Sequence, residues 1–176
     1  MGSINDLISG WRPQVTYSKH AIASGVSDRY FYSLRDNNLN NDPILNLNSI
    51  WNGYILINSN YVPFFHWKPS YSTVAQSNPR INRIKFGNGY EQRIPDGLNV
   101  NLINLQVTFE NRKEDEAVAI LHFLNQMNGT TSFIYNVPTI YSKNKFTTKF
   151  ICSNWEATYN FYQNYSIRAT FEEVSA

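Results

Sequence analysis

Asn78–Asn99 reads NPRINRIKFGNGYEQRIPDGLN. This stretch decides the fold class, because within it the chain runs out, turns, returns and turns again. Gly87-Asn88-Gly89 and Pro95-Asp96-Gly97 are the turns. Gly and Asn tolerate left-handed backbone, and Pro presets φ for the first corner. Two registers are open to the first turn. A two-residue Asn88-Gly89 loop, the commonest hairpin signal, sets Gly87 opposite Tyr90 and Phe86 opposite Glu91. A three-residue loop with Gly89 left-handed sets Phe86 opposite Tyr90 and Lys85 opposite Glu91. The second register gives an aromatic pair and an ion pair, each contributing roughly 0.2–1 kcal/mol across a ladder. The sequence therefore predicts a bulged three-residue hairpin, and its glycines read as geometry that needs no ligand.

Downstream, Ile103, Leu105, Val107 and Phe109 alternate with Asn104, Gln106 and Thr108. A period of two means one buried and one wet face of a strand. The period changes at Asn111. Ala117, Ile120, Leu121, Leu124 and Met127 recur at helical spacing, which predicts an amphipathic helix over 112–128. Asn111 is its expected N-cap and Glu114 the partner in a capping box. Glu114, Asp115 and Glu116 occupy the first turn, where the helix dipole favours anions, and Gly129 is the expected left-handed stop. Strand patterns resume over Ser132–Val137, Lys145–Ser153 (Phe146, Phe150 and Cys152 on one face) and Ser166–Glu172. Five or six strands around one helix make an α+β, mainly β domain.

Composition supports a packed β protein. Of 176 residues, 42% are hydrophobic and 15% aromatic, enough to fill a core. Only 16% are charged, below the usual share of about a quarter, so Asn, Ser, Thr and Gln carry the surface. A net charge of +2 is too balanced to imply nucleic-acid binding. Cys152 is alone, which leaves no internal disulfide and marks it as a small buried hydrophobe. The start MGSINDLISGW lacks the basic and apolar regions of a signal peptide, and no apolar run reaches the ~20 residues of a membrane span.

The run Trp67–Asn99, with its FGNGYEQR core and the following PDG, resembles the phage minor tail protein M family of lambda-like siphophages. The signature residues are Phe86, Gly87, Asn88, Gly89, Tyr90, Glu91 and Arg93. Asn88 stands where the family has Asp, a change that suits the same turn. Later landmarks keep the family's order: Phe123-Leu124 with Gly129, then SFIYNVP (Ser132–Pro138), then Trp155, then ATFEEV (Ala169–Val174). The similarity covers about residues 65–174. It implies a tail-tube or distal-tail type of β-sandwich or split barrel with one helix. It further implies a structural virion protein that forms a ring, expected to be hexameric, at the distal end of a long non-contractile tail. The implied partners are further copies of itself, the tail tube protein, the tape measure and the tip or hub proteins. Assembly is expected in the host cytoplasm, with no membrane and no specific nucleic acid, although DNA would pass through the ring. The resemblance carries over no catalytic residue.

The two parts of the chain read differently, with the division near residue 62. Residues 1–62 predict a small all-β module and residues 63–176 the tail-protein-like domain. The first part holds short aromatic segments between Asn-rich loops, with Pro43 stiffening the polar run Asp36–Asn48. Trp11, Tyr17, Tyr30, Tyr32 and Trp51 weakly resemble the pattern of small chitin-binding modules. His20 departs from it where a Gly is expected, Gly25 departs where a Tyr is usual, and the spacing to Trp51 is long. Exposed rings of this kind stack on sugar faces, so a glycan-binding role is the alternative to tail assembly. The competing reading makes these rings the module's own core, or the module a docking surface.

No reactive constellation emerges. His20, His66 and His122 are scattered, and no metal-ligand spacing, nucleophile elbow or phosphate loop occurs. Neither cofactor nor enzymatic activity is expected. Arg80, Arg83, Lys85 and Arg93 gather around the hairpin. They are candidates for a face toward a ring lumen or a neighbouring subunit, against the plainer reading of a solvated surface.

Overall fold

The computed structural model describes residues 8–70, 73–97, 101–137 and 148–175. Pro138, Phe146 and Asn99, to which the sequence assigns places, lie outside the described residues.

Three sheets organise the chain, and the fold is mainly β with one helix and no closed barrel among the described residues. The first part builds β1 (Ile22–Ser24), β2 (Tyr30–Ser33) and β3 (Trp51–Asn52), an antiparallel sheet in that order. Next come β4 (Tyr54–Ile57) and β5 (Asn60–Phe65), β6 (Val74–Ser77), then β7 (Ile81–Lys85) and β8 (Glu91–Pro95). The remainder is β9 (Ile103–Lys113), helix α1 (Glu114–Met127), β10 (Phe133–Tyr135), β11 (Lys149–Phe161) and β12 (Asn164–Val174). Seven strands form the main sheet in the order β4-β5-β10-β11-β12-β9-β6, and β7-β8 stand as a sheet of their own. All pairs are antiparallel except β5 with β10. Residue 62 lies inside β5, which joins this main sheet.

The alternation read in Ile103–Phe109 is realised on β9. Ile103, Leu105, Val107 and Phe109 are buried, and across the ladder so are Ile167, Ala169 and Phe171 of β12. Helix α1 covers that face with Ala117, Ile120, Phe123, Leu124 and Met127. Phe65 sits where strands and helix meet. Its ring lies 5.0–5.9 Å from those of Trp67, Phe109, Phe123, Phe133, Tyr135 and Phe171. Each fully buried large side chain of this kind contributes ~1.5–3 kcal/mol relative to exposure, so the aromatic cluster is a large part of the core's cohesion.

The ends of α1 differ from expectation. Arg112 and Lys113 continue β9, and the helix begins at Glu114 with Lys113 at the cap position and no side-chain cap. Asn111 is not an N-cap. It has φ 55 and lies in a bulge where Glu110 and Asn111 together oppose Ser166. A left-handed Asn lets one strand carry an extra residue there. At the other end Asn128 takes the left-handed cap, its N–H bonding Leu124 O at 3.0 Å, and Gly129 follows at φ 67.

Candidate functional site

The family-like hairpin is the most exposed part of the described chain. Every residue from Gln76 to Gly97 is exposed, and β7 pairs only with β8. Lys85 opposes Glu91, and Phe86 N–H donates to Tyr90 O at 2.8 Å across a loop of Gly87, Asn88 and Gly89. Gly89 has φ 85. The three-residue register is therefore the one adopted. Its side-chain pairing is not the expected one: Glu91 Oε1 meets Arg93 Nε at 2.8 Å and Arg83 Nε at 3.9 Å rather than Lys85. Arg93 lies two residues along the same strand, hence on the same side, and reaches the carboxylate without crossing the ladder. Its hydrogen bond holds the Glu91 carboxyl below its ordinary pKa.

Residues opposed in a ladder share a face, and the faces alternate along it. Arg83, Lys85, Glu91 and Arg93 therefore lie on one side of the β7–β8 ribbon. Ile84, Ile94, Phe86 and Tyr90 lie on the other. The first face also carries Ile81 and Pro95, and the second Asn82 and Gln92, so the ribbon has a mainly basic face and a mainly apolar one. Phe86 is 50% and Tyr90 73% exposed, so this apolar face is bare. Arg80 stands at the base, its carbonyl accepting from Asp96 N–H at 3.0 Å.

A second exposed apolar element lies at the turn between β11 and β12. Tyr159, Phe161 and Tyr162 project there, Tyr162 at 78% exposure. The sequence patterns stop one strand at Ser153 and start the next at Ser166, whereas β11 runs on to Phe161 and β12 starts at Asn164. No Gly or Pro marks the turn; Gln163 supplies the left-handed residue with φ 53. Aromatics spaced two apart around Asn160 were the available signal. Beside the tip lie the exposed carboxylates of Glu110, Glu114 and Asp115, while Glu116 is tied to Arg112 at 3.0 Å.

The main sheet presents a third surface. Helix α1 covers one face; the other shows Gln106, Thr108, Asn154, Glu156, Arg168 and Thr170 around a shallow hollow of about 450 Å³. Among the described residues, its outer strands β4 and β6 each have one neighbour, so both edges are open.

The five aromatic candidates of the first part separate by burial. Tyr17 and Trp51 lie in a small core with Ala23 and Phe31, their rings 5.1 Å apart edge to face. Tyr32 is buried in the large core, and Tyr30 packs against it, 4.7 Å from the His122 ring. Trp11 is partly buried and lines a cleft of about 310 Å³ with Val26, Phe31, Asp42 and Ile44.

His66 and His122, far apart in sequence, both pack against Tyr32: its ring lies 6.3 Å from that of His66 and 5.9 Å from that of His122. Burial lowers the pKa of His66 to about 3, with the charge of His20 as a lesser cause, and that of His122 to about 4. Burial pushes the Cys152 thiol up to about 12, as for a core hydrophobe. Among the described residues no group of three or more His, Cys, Asp or Glu is placed to hold a metal ion.

A family model described as phage minor tail protein matches residues 63–175. The chain is also similar to tail tip protein M of Escherichia phage lambda, with 33% identity over 110 residues, spanning 62% of this chain and 95% of the lambda protein.

Proposed function

The chain belongs to the phage minor tail protein family, and from that premise we propose that it is a ring-forming adaptor joining the tail tube to the tip of a long non-contractile tail. Membership itself makes it a structural component of the virion tail. The finer reading is supported by the lambda relative, which bears the name of a tail tip protein. The observation that carries it is the pair of open sheet edges. A strand edge is a row of unpaired donors and acceptors that natural proteins protect. β4 and β6 lie at opposite ends of one sheet, so pairing β4 of one copy with β6 of the next is a head-to-tail contact. Such contacts generate rings when the rotation closes. In a six-fold ring the uncovered polar face lines the bore through which DNA passes. Tube, tape-measure and hub proteins contact the two rims. Assembly takes place in the host cytoplasm.

The glycan reading loses most of its surface, since Tyr17, Tyr32 and Trp51 are core residues, while Trp11 lines a cleft. In the adaptor reading the small sheet β1-β2-β3 is a docking surface for a neighbouring tail protein.

Labelling of intact tails with antibody against this chain tests the proposal. Label at the end distal to the capsid is the expected result. Label along the tube, or at the capsid end, overturns it. A saccharide titration of the full chain checks the alternative: saturable binding that Trp11→Ala abolishes would reinstate it.

A further inference from the structure

Among the described residues nothing covers the Phe86 and Tyr90 side of the β7–β8 ribbon, and its two faces have complements elsewhere on the same chain. Ile84, Ile94, Phe86 and Tyr90 offer apolar surface, and the opposite side carries Arg83, Lys85 and Arg93 around a single Glu91. Four basic residues stand against two acidic ones between Arg80 and Gly97. At the β11–β12 tip, Tyr159, Phe161 and Tyr162 are exposed. The register places carboxylates beside them: Phe161 opposes Asn164, Asn164 opposes Lys113, and Glu114 and Asp115 follow at once. Desolvation raises the pKa of Tyr165, and the charge of Glu114 adds to it; the Tyr165 ring lies 5.3 Å from that of Tyr159. Exposed apolar patches rimmed by charge mark interaction sites, and opposite charges around them fix orientation.

We propose that the ribbon of one copy seats on the β11–β12 tip of a second copy. Its apolar face covers Tyr159, Phe161 and Tyr162, and its arginines reach past the ribbon edge toward Glu114 and Asp115. The long aliphatic stems of Arg permit that reach. The contact is heterologous, donor ribbon to acceptor tip, and so propagates in the same sense as a ring. This inference rests on the ring reading and adds a second contact to the edge pairing.

Two full-length variants test it, Tyr90→Cys on the donor and Tyr162→Cys on the acceptor, mixed under a mild oxidant. Both positions are exposed, and Cys152 is buried with a raised pKa and stays silent. Seating raises the local thiol concentration, so the mixed pair should cross-link at least about tenfold faster than Tyr90→Cys mixed with the exposed control Thr16→Cys. Glu114→Lys with Asp115→Lys on the acceptor should reduce that advantage. Equal rates for the two mixtures overturn the proposal. Faster self-linking of Tyr90→Cys than either mixture also overturns it, and assigns the ribbon to a ribbon-to-ribbon contact. Ring-shaped particles in electron micrographs of a mixture showing only background cross-linking would discard the ribbon seating and leave the ring. Tail labelling tests the adaptor role separately.

Discussion

The Tyr32 hydroxyl and His122 Nδ1 are hydrogen-bonded at 2.9 Å across 90 residues of sequence. Tyr32 belongs to β2 of the small sheet and His122 to helix α1. The Tyr32 ring also meets Trp67 edge to face at 5.0 Å and Phe123 at 6.1 Å. The two parts of the chain are thus stitched by a polar contact inside an aromatic wall. Losing a buried hydrogen bond while leaving its partner in place costs ~1–3 kcal/mol. Tyr32→Phe keeps the ring and removes only the hydroxyl. Its thermal midpoint should fall by roughly 2–12 °C, at ~2–4 °C per kcal/mol for a chain of this size. An unchanged midpoint would show that the bond contributes nothing net.

The histidines give the protein an acid limit. Burial holds His66 at about 3 and His122 at about 4, against 6.5 when unfolded. His122 is faced by the rings of Tyr30 and Tyr32, and His66 by His20, itself lowered by burial against the opposing pull of Glu116. Between the folded and unfolded values the unfolded chain binds protons that the folded chain does not. Stability is therefore complete above about pH 6.5 and is lost progressively as pH falls toward 4 and 3. The thermal midpoint should drop by several degrees from pH 7.5 to pH 5. The slope should be shallower in His122→Gln and His66→Gln; slopes equal to the parent's would remove these groups as the cause.

Two glycines with positive φ separate strain in the body from strain in the ribbon. Gly53 has φ 122, and a Cβ there would lie 2.8 Å from Tyr30 O, a backbone atom that cannot swing away. Gly89 has φ 85 and open space around it. Gly53→Ala should cost ~1–3 kcal/mol or more and lower the global midpoint. Gly89→Val carries backbone strain alone, in an element apart from the cores. It should speed amide exchange in the hairpin and leave the midpoint unchanged. A global loss of stability in Gly89→Val would mean that the ribbon unfolds together with the sheet.

Local patterns exposed in the sequence what local physics decides. The alternation of Ile103–Phe109, the apolar stripe of α1 and the bulged Gly87-Asn88-Gly89 turn all follow from side-chain period and backbone tolerance, and all appear in the structure. What escaped depends on strands far apart in sequence. Asn111 has the chemistry of a cap, and only the register against Ser166 makes it a bulge. Glu91 has Lys85 across the ladder, yet Arg93 on its own strand is better placed. Tyr17, Tyr32 and Trp51 look alike as ring candidates, yet Tyr17 and Trp51 are buried in the first part's own small core, and only Tyr32 reaches the larger core beside α1. The β11–β12 tip was hidden because Tyr162-Gln163 is a turn without Gly or Pro.

The open edge at β4 gives the most direct handle on assembly. Phe64 N–H donates to Gly53 O at 2.9 Å, and Tyr54 opposes Pro63, which has no N–H to give. In an antiparallel ladder bonded and non-bonded pairs alternate, so Ile55 exchanges bonds with Val62 while the Leu56 N–H points to the free side. Leu56→Pro deletes an outward donor and leaves the bonds to β5 in place; proline is tolerated at such edge positions. The folded chain should therefore keep a midpoint within a few degrees of the parent and lose ring closure. Sedimentation of the two proteins at equal concentration, or their incorporation into tails, reads the difference. A Leu56→Pro chain that folds normally and still closes rings or enters tails would exclude β4 as a subunit interface.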